Sequence, residues 1–218
     1  MIRTALLVAG KDLRIEVRSR VLLWQVVPFG VIALLLCGLA LGPAHAGSSS
    51  AGPGLYYLVT LLVALLMINR SHVVERAPGT KSSVATLGLD PAGVFLGKSL
   101  ALAVELWLTG LVLLAGAVLV LHTALHGALI ALPSIVVTLG ALACAGTLYG
   151  ALTAGGETSA TLLPVLALPA FAPLLIAGER SFYDALHGGE LLGWWVIVVV
   201  ALVAYVALGI LLYGVLDE

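Results

Sequence analysis

The sequence predicts an all-α integral membrane protein, six transmembrane helices preceded by an N-terminal amphipathic helix that lies in the membrane interface. Three observations carry this. Of 218 residues, 61% are apolar and only 10% are Asp, Glu, Lys or Arg; soluble domains carry roughly 25% charged residues, so this chain cannot cover a water-facing surface. Apolar runs of spanning length recur six times between short polar connections. The basic residues gather in a few of those connections and leave the others empty, as the positive-inside bias requires. The length suits a single membrane domain over residues 1–218. A net charge of −1 argues against a nucleic-acid partner.

Residues 1–20 place Ile2, Leu6, Leu13 and Val17 on one helical stripe, with Lys11, Arg14 and Arg18 elsewhere on the same helix, hence the interfacial reading. The predicted spans are 21–42, 55–74, 99–121, 128–152, 161–178 and 191–214. The second reaches spanning length only by running through Arg70, whose long side chain would reach back to the interface. The fifth carries Pro164, Pro169 and Pro173, each lacking an N–H and crowding the preceding turn, so a kinked or broken helix is expected there. Trp194 and Trp195 open the sixth at the headgroup level. No secretory signal is read at the start, because charged residues rather than a cleavage site follow the first apolar patch.

Five basic residues precede the first span, four lie between Arg70 and Lys98, and one is Arg180. Six spans with both termini in the cytoplasm put nine of the ten inside. Residues 75–98 then form the one long cytoplasmic connection.

Several local patterns carry chemistry only weakly. Ala92 to Ser99 is one residue short of a phosphate-binding loop, with Ala where Gly is required and a membrane span rather than a nucleotide-binding sheet around it. Glu105 sits inside an apolar run, where a charge costs about 2.5 to 3.5 kcal/mol. It reads either as a translocation or coupling residue or as an interhelical hydrogen-bonding group. His122 and His126 are four apart, which on a helical turn would put both on one face as weak candidate metal ligands. Gly38 with Gly42, and Gly146 with Gly150, have the spacing for close helix contact. Cys37 and Cys144 read as small core residues. Protease, esterase and CxxC signatures are missing from the sequence.

The stretch ERAPGTKSSVATLGLDPAGVFLGKSLA, residues 75–101, resembles the cytoplasmic loop of the CcmB family, the haem exporter permeases of the cytochrome c maturation system. An acidic residue, a Gly, a Leu-rich helix, a Pro and a Lys follow in that order there, and Glu75, Gly79, Leu87, Pro91 and Lys98 fill those places. The opening KDLRIEVRSR, residues 11–20, and the proline-rich segment of residues 163–178 are similar to the family's charged N-terminal helix and fifth span. The connection from Thr153 to Ala160 departs from it, carrying Glu157 where relatives often have basic residues.

The resemblance implies an export-type, ABC-2-like permease in the bacterial inner membrane, implicated in haem export or in ATP-driven release of a haem-loaded chaperone. It implies no cofactor held by this chain, haem as the handled ligand, and ATP bound by a separate ABC ATPase subunit. It also implies a haem-handling membrane subunit, a small membrane subunit, an outer-side haem chaperone and self-association. Residues 75–98 become the ATPase-coupling loop, against the alternative of an ordinary solvated linker. The alternative functions are an ABC export permease for a lipid, glycan or drug, and a membrane scaffold without transport.

Overall fold

A computed structural model describes residues 1–42, 51–75, 90–153 and 159–216; for 72–75, 125, 159–164 and 214–216 only the backbone is described. Its elements are α1 (Ile2–Ser19), a π-helical turn (Leu22–Val26) continuing into α2 (Val27–Leu41), α3 (Gly52–Glu75), α4 (Pro91–Val120), α5 (Leu125–Thr153), α6 (Ser159–His187) and α7 (Leu191–Leu216). Six of these helical stretches, from the π turn with α2 through to α7, are long and apolar enough to cross a membrane.

The bundle is built around α5, which packs on α3, α4, α6 and α7. Its composition explains the position. Gly140, Ala141, Ala143, Ala145 and Gly146 keep the helix thin all round, so neighbouring backbones approach closely. A Cβ on Gly146 would run into the Ile68 side chain. The apolar window of α5 is 67% buried, whereas those of the first and last spans are 17% and 11% buried, so α2 and α7 form the outer, lipid-facing flanks. Three interior hydroxyls are satisfied locally: those of Thr60, Thr138 and Thr147 each donate to the carbonyl four residues earlier. Longer ties cross between helices, with Tyr56 donating to the Gly110 carbonyl and Trp107 to that of Val136.

Two boundaries and one expected break differ from the sequence reading. The helix of the third span, α4, starts at Pro91, not Ser99, so the last eight residues assigned to the cytoplasmic loop are helical. Pro91 at the first helical position starts it well, since its missing N–H has no partner to lose there. At 1.5 Å per residue this 30-residue helix is about 45 Å long, roughly 15 Å more than a hydrocarbon core, and its first turns extend past the membrane. The fifth helix likewise runs past Gly178 to His187, ending where Gly188 takes φ +74°. Nothing in residues 179–187 breaks a helix; the apolar pattern marks where the membrane stops, not where the helix does. Nor is that helix interrupted at Pro169 or Pro173. Between those two prolines the Ala170 carbonyl accepts a hydrogen bond from Tyr205.

The outer turns also depart from expectation. Gly38 does meet a neighbour closely, a Cβ there falling 2.6 Å from Val120 Cγ1, but Gly42 closes α2 at φ +69° in open space and is a turn glycine. His122 lies in the turn between α4 and α5 at φ 55°, outside any helix. It therefore shares no helical face with His126, and both are exposed.

Candidate functional site

The helix α1 lies against the first turns of α4, and its two faces are chemically distinct. Three of the four residues of the stripe read from the sequence point outward, Ile2 78%, Leu6 61% and Val17 77% exposed, as a helix half-sunk in lipid requires, while Leu13 is half-buried. The opposite face carries Thr4, Ala5, Val8 and the buried Ala9, and it packs onto Gly93 and Gly97. A Cβ on Gly97 would fall 2.6 Å from the Ala5 carbonyl oxygen and 2.7 Å from Val8 Cβ; one on Gly93 would fall 2.8 Å from Thr4 Cβ. Those two glycines, four apart at the start of α4, are a seat for α1. The near-match to a phosphate loop is thus the opening of a helix, with its glycines committed to helix contact.

Further along the same crossing, α1, α3 and α4 enclose a cleft of about 100 Å³. Its polar lining is Ser71 with three basic side chains, Lys11, Arg70 and Lys98, and three acidic ones, Asp12, Glu16 and Glu105. The Arg70 guanidinium donates to Glu16 Oε1 at 2.8 Å through Nη1 and to the Ser19 hydroxyl at 3.1 Å through Nη2. With Glu16 and Arg70 side chains 12% and 26% exposed, the pair is well removed from water. Charge-assisted hydrogen bonds of this kind contribute about 1.5 to 3 kcal/mol.

The same Glu16 oxygen accepts the backbone N–H of Leu22 at 2.7 Å. The need for that bond is local. α1 ends in Arg20, which takes a left-handed conformation at φ 55°, and the chain restarts in the π-helical turn, so the first N–H groups of the new helix lack a preceding turn of carbonyls. Glu16 supplies an acceptor for one of them.

The predicted site residues fall into separate groups. Lys98 and Glu105 come together in the cleft, seven residues or about 10 Å apart along α4. Lys98 Nζ also donates to the Tyr213 hydroxyl at 2.9 Å and lies 5.5 Å from that ring's centroid, tying the start of α4 to the end of α7. Lys98 is therefore held inside the helical bundle and not on an extended loop. Pro91 opens α4 and is exposed; Glu75 closes α3, with only its backbone described. Gly79 and Leu87 lie outside the described residues, as does Glu157. Pro164 has only its backbone described, and Pro169 and Pro173 lie on α6, which packs on α3 but contributes no residue to the cleft. His122 and His126 are at the opposite end of α4 and α5 from the cleft. Among the described residues no three His, Cys, Asp or Glu side chains gather in a way that could hold a metal ion.

Sequence reasoning missed Glu16, the partnership of Arg70 with it, and the glycine seat. Signals for them existed. An arginine inside an otherwise apolar span demands a partner, and Glu16 is one of two acidic residues in the helix that precedes it. Gly93 and Gly97 had small-residue spacing but were weighed only as part of a nucleotide motif.

A bundle with six candidate spans, an amphipathic helix seated across one end and a charged cleft beneath that helix defines a multi-pass membrane protein of the permease type. The chain belongs to the CcmB protein family, whose sequence pattern matches residues 3–213. It is 30% identical over 180 residues to heme exporter protein B of Rhodobacter capsulatus, covering 78% of each chain. It is 27% identical over 189 residues to heme exporter protein B of Paracoccus denitrificans, covering 83% of each. With the protein of that name from Pseudomonas aeruginosa the identity is 28% over 191 residues, 84% of this chain and 82% of the relative.

Proposed function

We infer that this chain is the membrane permease subunit of a haem export system that serves cytochrome c maturation, and that it takes its energy from a separate ABC ATPase. The observation that carries this reading is membership of the CcmB family across nearly the whole chain, together with relatives named heme exporter protein B that match over most of their own length. The function is transport or release, with haem as the handled ligand. The chain lies in the bacterial inner membrane with residues 1–20 and the end of α7 on the cytoplasmic side.

Residues 75–98 face the ATPase. The two roots of this connection, Glu75 at the end of α3 and Pro91 at the start of α4, emerge at the end of the bundle where α1 is seated. Force applied there acts on α3 and α4 directly. Glu105, deeper on α4 in the charged cleft, belongs to the transport or release step and not to docking. Haem-handling and small membrane subunits and an outer-side chaperone complete the complex, and the exposed faces of α2 and α7 are available for them or for a second copy.

The test is co-purification of the ATPase with this chain, normalised to the amount of chain in the membrane. The ATPase should be retained by the wild type and lost or strongly reduced with Glu75→Lys or Val84→Pro, neither of which lies within a span. Full retention in both loop variants would remove the docking role from residues 75–98, and absence of any ATPase from the wild type would remove the reading itself.

A further inference from the structure

We propose that Glu16 and Arg70 are positioning residues that pass movement of the cytoplasmic connection through α1 to the first span. The proposal rests on the reading of that connection as ATPase-facing. Both roots of the connection hold the same helix. On one side Arg70, five residues before the end of α3, binds Glu16 and Ser19 near the end of α1. On the other, Gly93 and Gly97 in the first turns of α4 hold Thr4, Ala5 and Val8 near its beginning. A relative shift of α3 and α4 at the connection must therefore tilt or slide α1, because α1 is gripped near both of its ends by the two helices that move.

The output of that lever is also defined by contacts. One carboxylate oxygen of Glu16 accepts from Arg70 Nη1 at 2.8 Å and from the Leu22 N–H at 2.7 Å, so α3, α1 and the start of the first span meet at a single atom. The Ser19 hydroxyl, which accepts from Arg70 Nη2, itself donates to the Glu16 carbonyl at 3.0 Å and closes the junction. Beyond it lie the left-handed Arg20 and the π-helical turn from Leu22 to Val26. A π turn is a wide, locally rearrangeable turn that occurs mostly as a single insertion within α-helices, often at functional sites. A pull on Arg70 is delivered to the residue that begins this turn.

The experiment uses the complex with its ATPase and compares wild type, Glu16→Gln, Arg70→Gln and the double variant. Glutamine at 16 keeps an acceptor for the Leu22 N–H while removing the charge. Four quantities are read: chain in the membrane, ATPase retained per chain, ATP hydrolysed per complex and c-type cytochrome produced in cells. Each single variant should keep its ATPase and its hydrolysis while c-type cytochrome falls roughly five- to tenfold. The double variant should fall no further than the worse single, because both remove one shared contact.

Singles with wild-type output and ATPase retained would overturn the proposal and leave the function intact. Effects that multiply in the double variant would overturn it as well. Absence of ATPase from the wild-type complex would overturn the function, and this inference with it. Arg70→Lys covers failure of the glutamine variants to accumulate: it keeps the charge but loses the two-pronged donation, so it should reach the membrane normally with reduced output. Normal output from Arg70→Lys, with Arg70→Gln absent from the membrane, would mark the pair as purely structural.

Discussion

Glu105 is a carboxylate near the middle of a 30-residue apolar helix, and its surroundings determine what it can do. An intramembrane carboxylate has to face protein or water. Here it lines the cleft with Lys98 and Arg70, so it is placed to sense how α1, α3 and α4 are arranged. The sequence marked Glu105 correctly as an outlier but left its neighbours undetermined, because Glu16 and Arg70 reach the cleft from residues 89 and 35 positions earlier in the chain. Glu105→Gln keeps the volume and removes the ionisable group. It should leave the chain's membrane level and bound ATPase within about twofold of wild type, the usual scale for a neutral isostere away from a docking surface. Production of c-type cytochrome should fall, and unchanged production with ATPase retained would exclude Glu105 from the coupled step. His122 shows the opposite outcome: four-residue spacing is meaningful only on a continuous helix, and the turn at φ 55° separates it from His126.

At the scale of elements, the helices were legible and their ends were not. Hydropathy reports the thickness of the bilayer, so it recovered six spans but cut α4 and α6 at the points where they leave it. The stretch of α4 that it cut off holds the glycine seat. That contact makes a direct prediction, because a Cβ at Gly97 would stand 2.6 Å from a backbone oxygen that has no room to yield. Gly97→Val should lift α1 from the bundle while the spans still insert. Ala9, 3% exposed on the packed face, serves as the reporter when replaced by Cys. Maleimide labelling of Ala9→Cys should be slow in the parent and several-fold faster with Gly97→Val. Equal rates would mean that the seat does not hold α1.

For the whole molecule, charge distribution sets orientation while packing sets which helices face lipid. Nine of the ten basic residues fall on one side if residues 1–20, 75–98 and 153–160 are cytoplasmic and 43–54, 122–127 and 179–190 face outward. The seating of α1 across the roots of the connection gathers Lys11, Arg70 and Lys98 at one end of the bundle. Membrane-impermeant maleimide applied from outside should label Cys placed at Gly188 and fail to label Cys at Ser82 until the membrane is opened; outside labelling at Ser82 would invert the topology. Composition could establish the membrane class because 10% charged residues is far below the roughly 25% of soluble domains. It could not reveal α5 as the central helix, since α7 is the more apolar of the two yet sits at the edge. In a bilayer, small side chains and not hydrophobicity select the centre, because lipid is as apolar as any side chain.

Service in haem export for cytochrome c maturation is tested by deleting the gene and staining the covalently bound haem of the cytochromes. In that strain c-type cytochromes should disappear while b-type cytochromes persist, and the wild-type gene should restore them where Glu75→Lys does not. Undiminished c-type cytochromes in the deletion strain would contradict it.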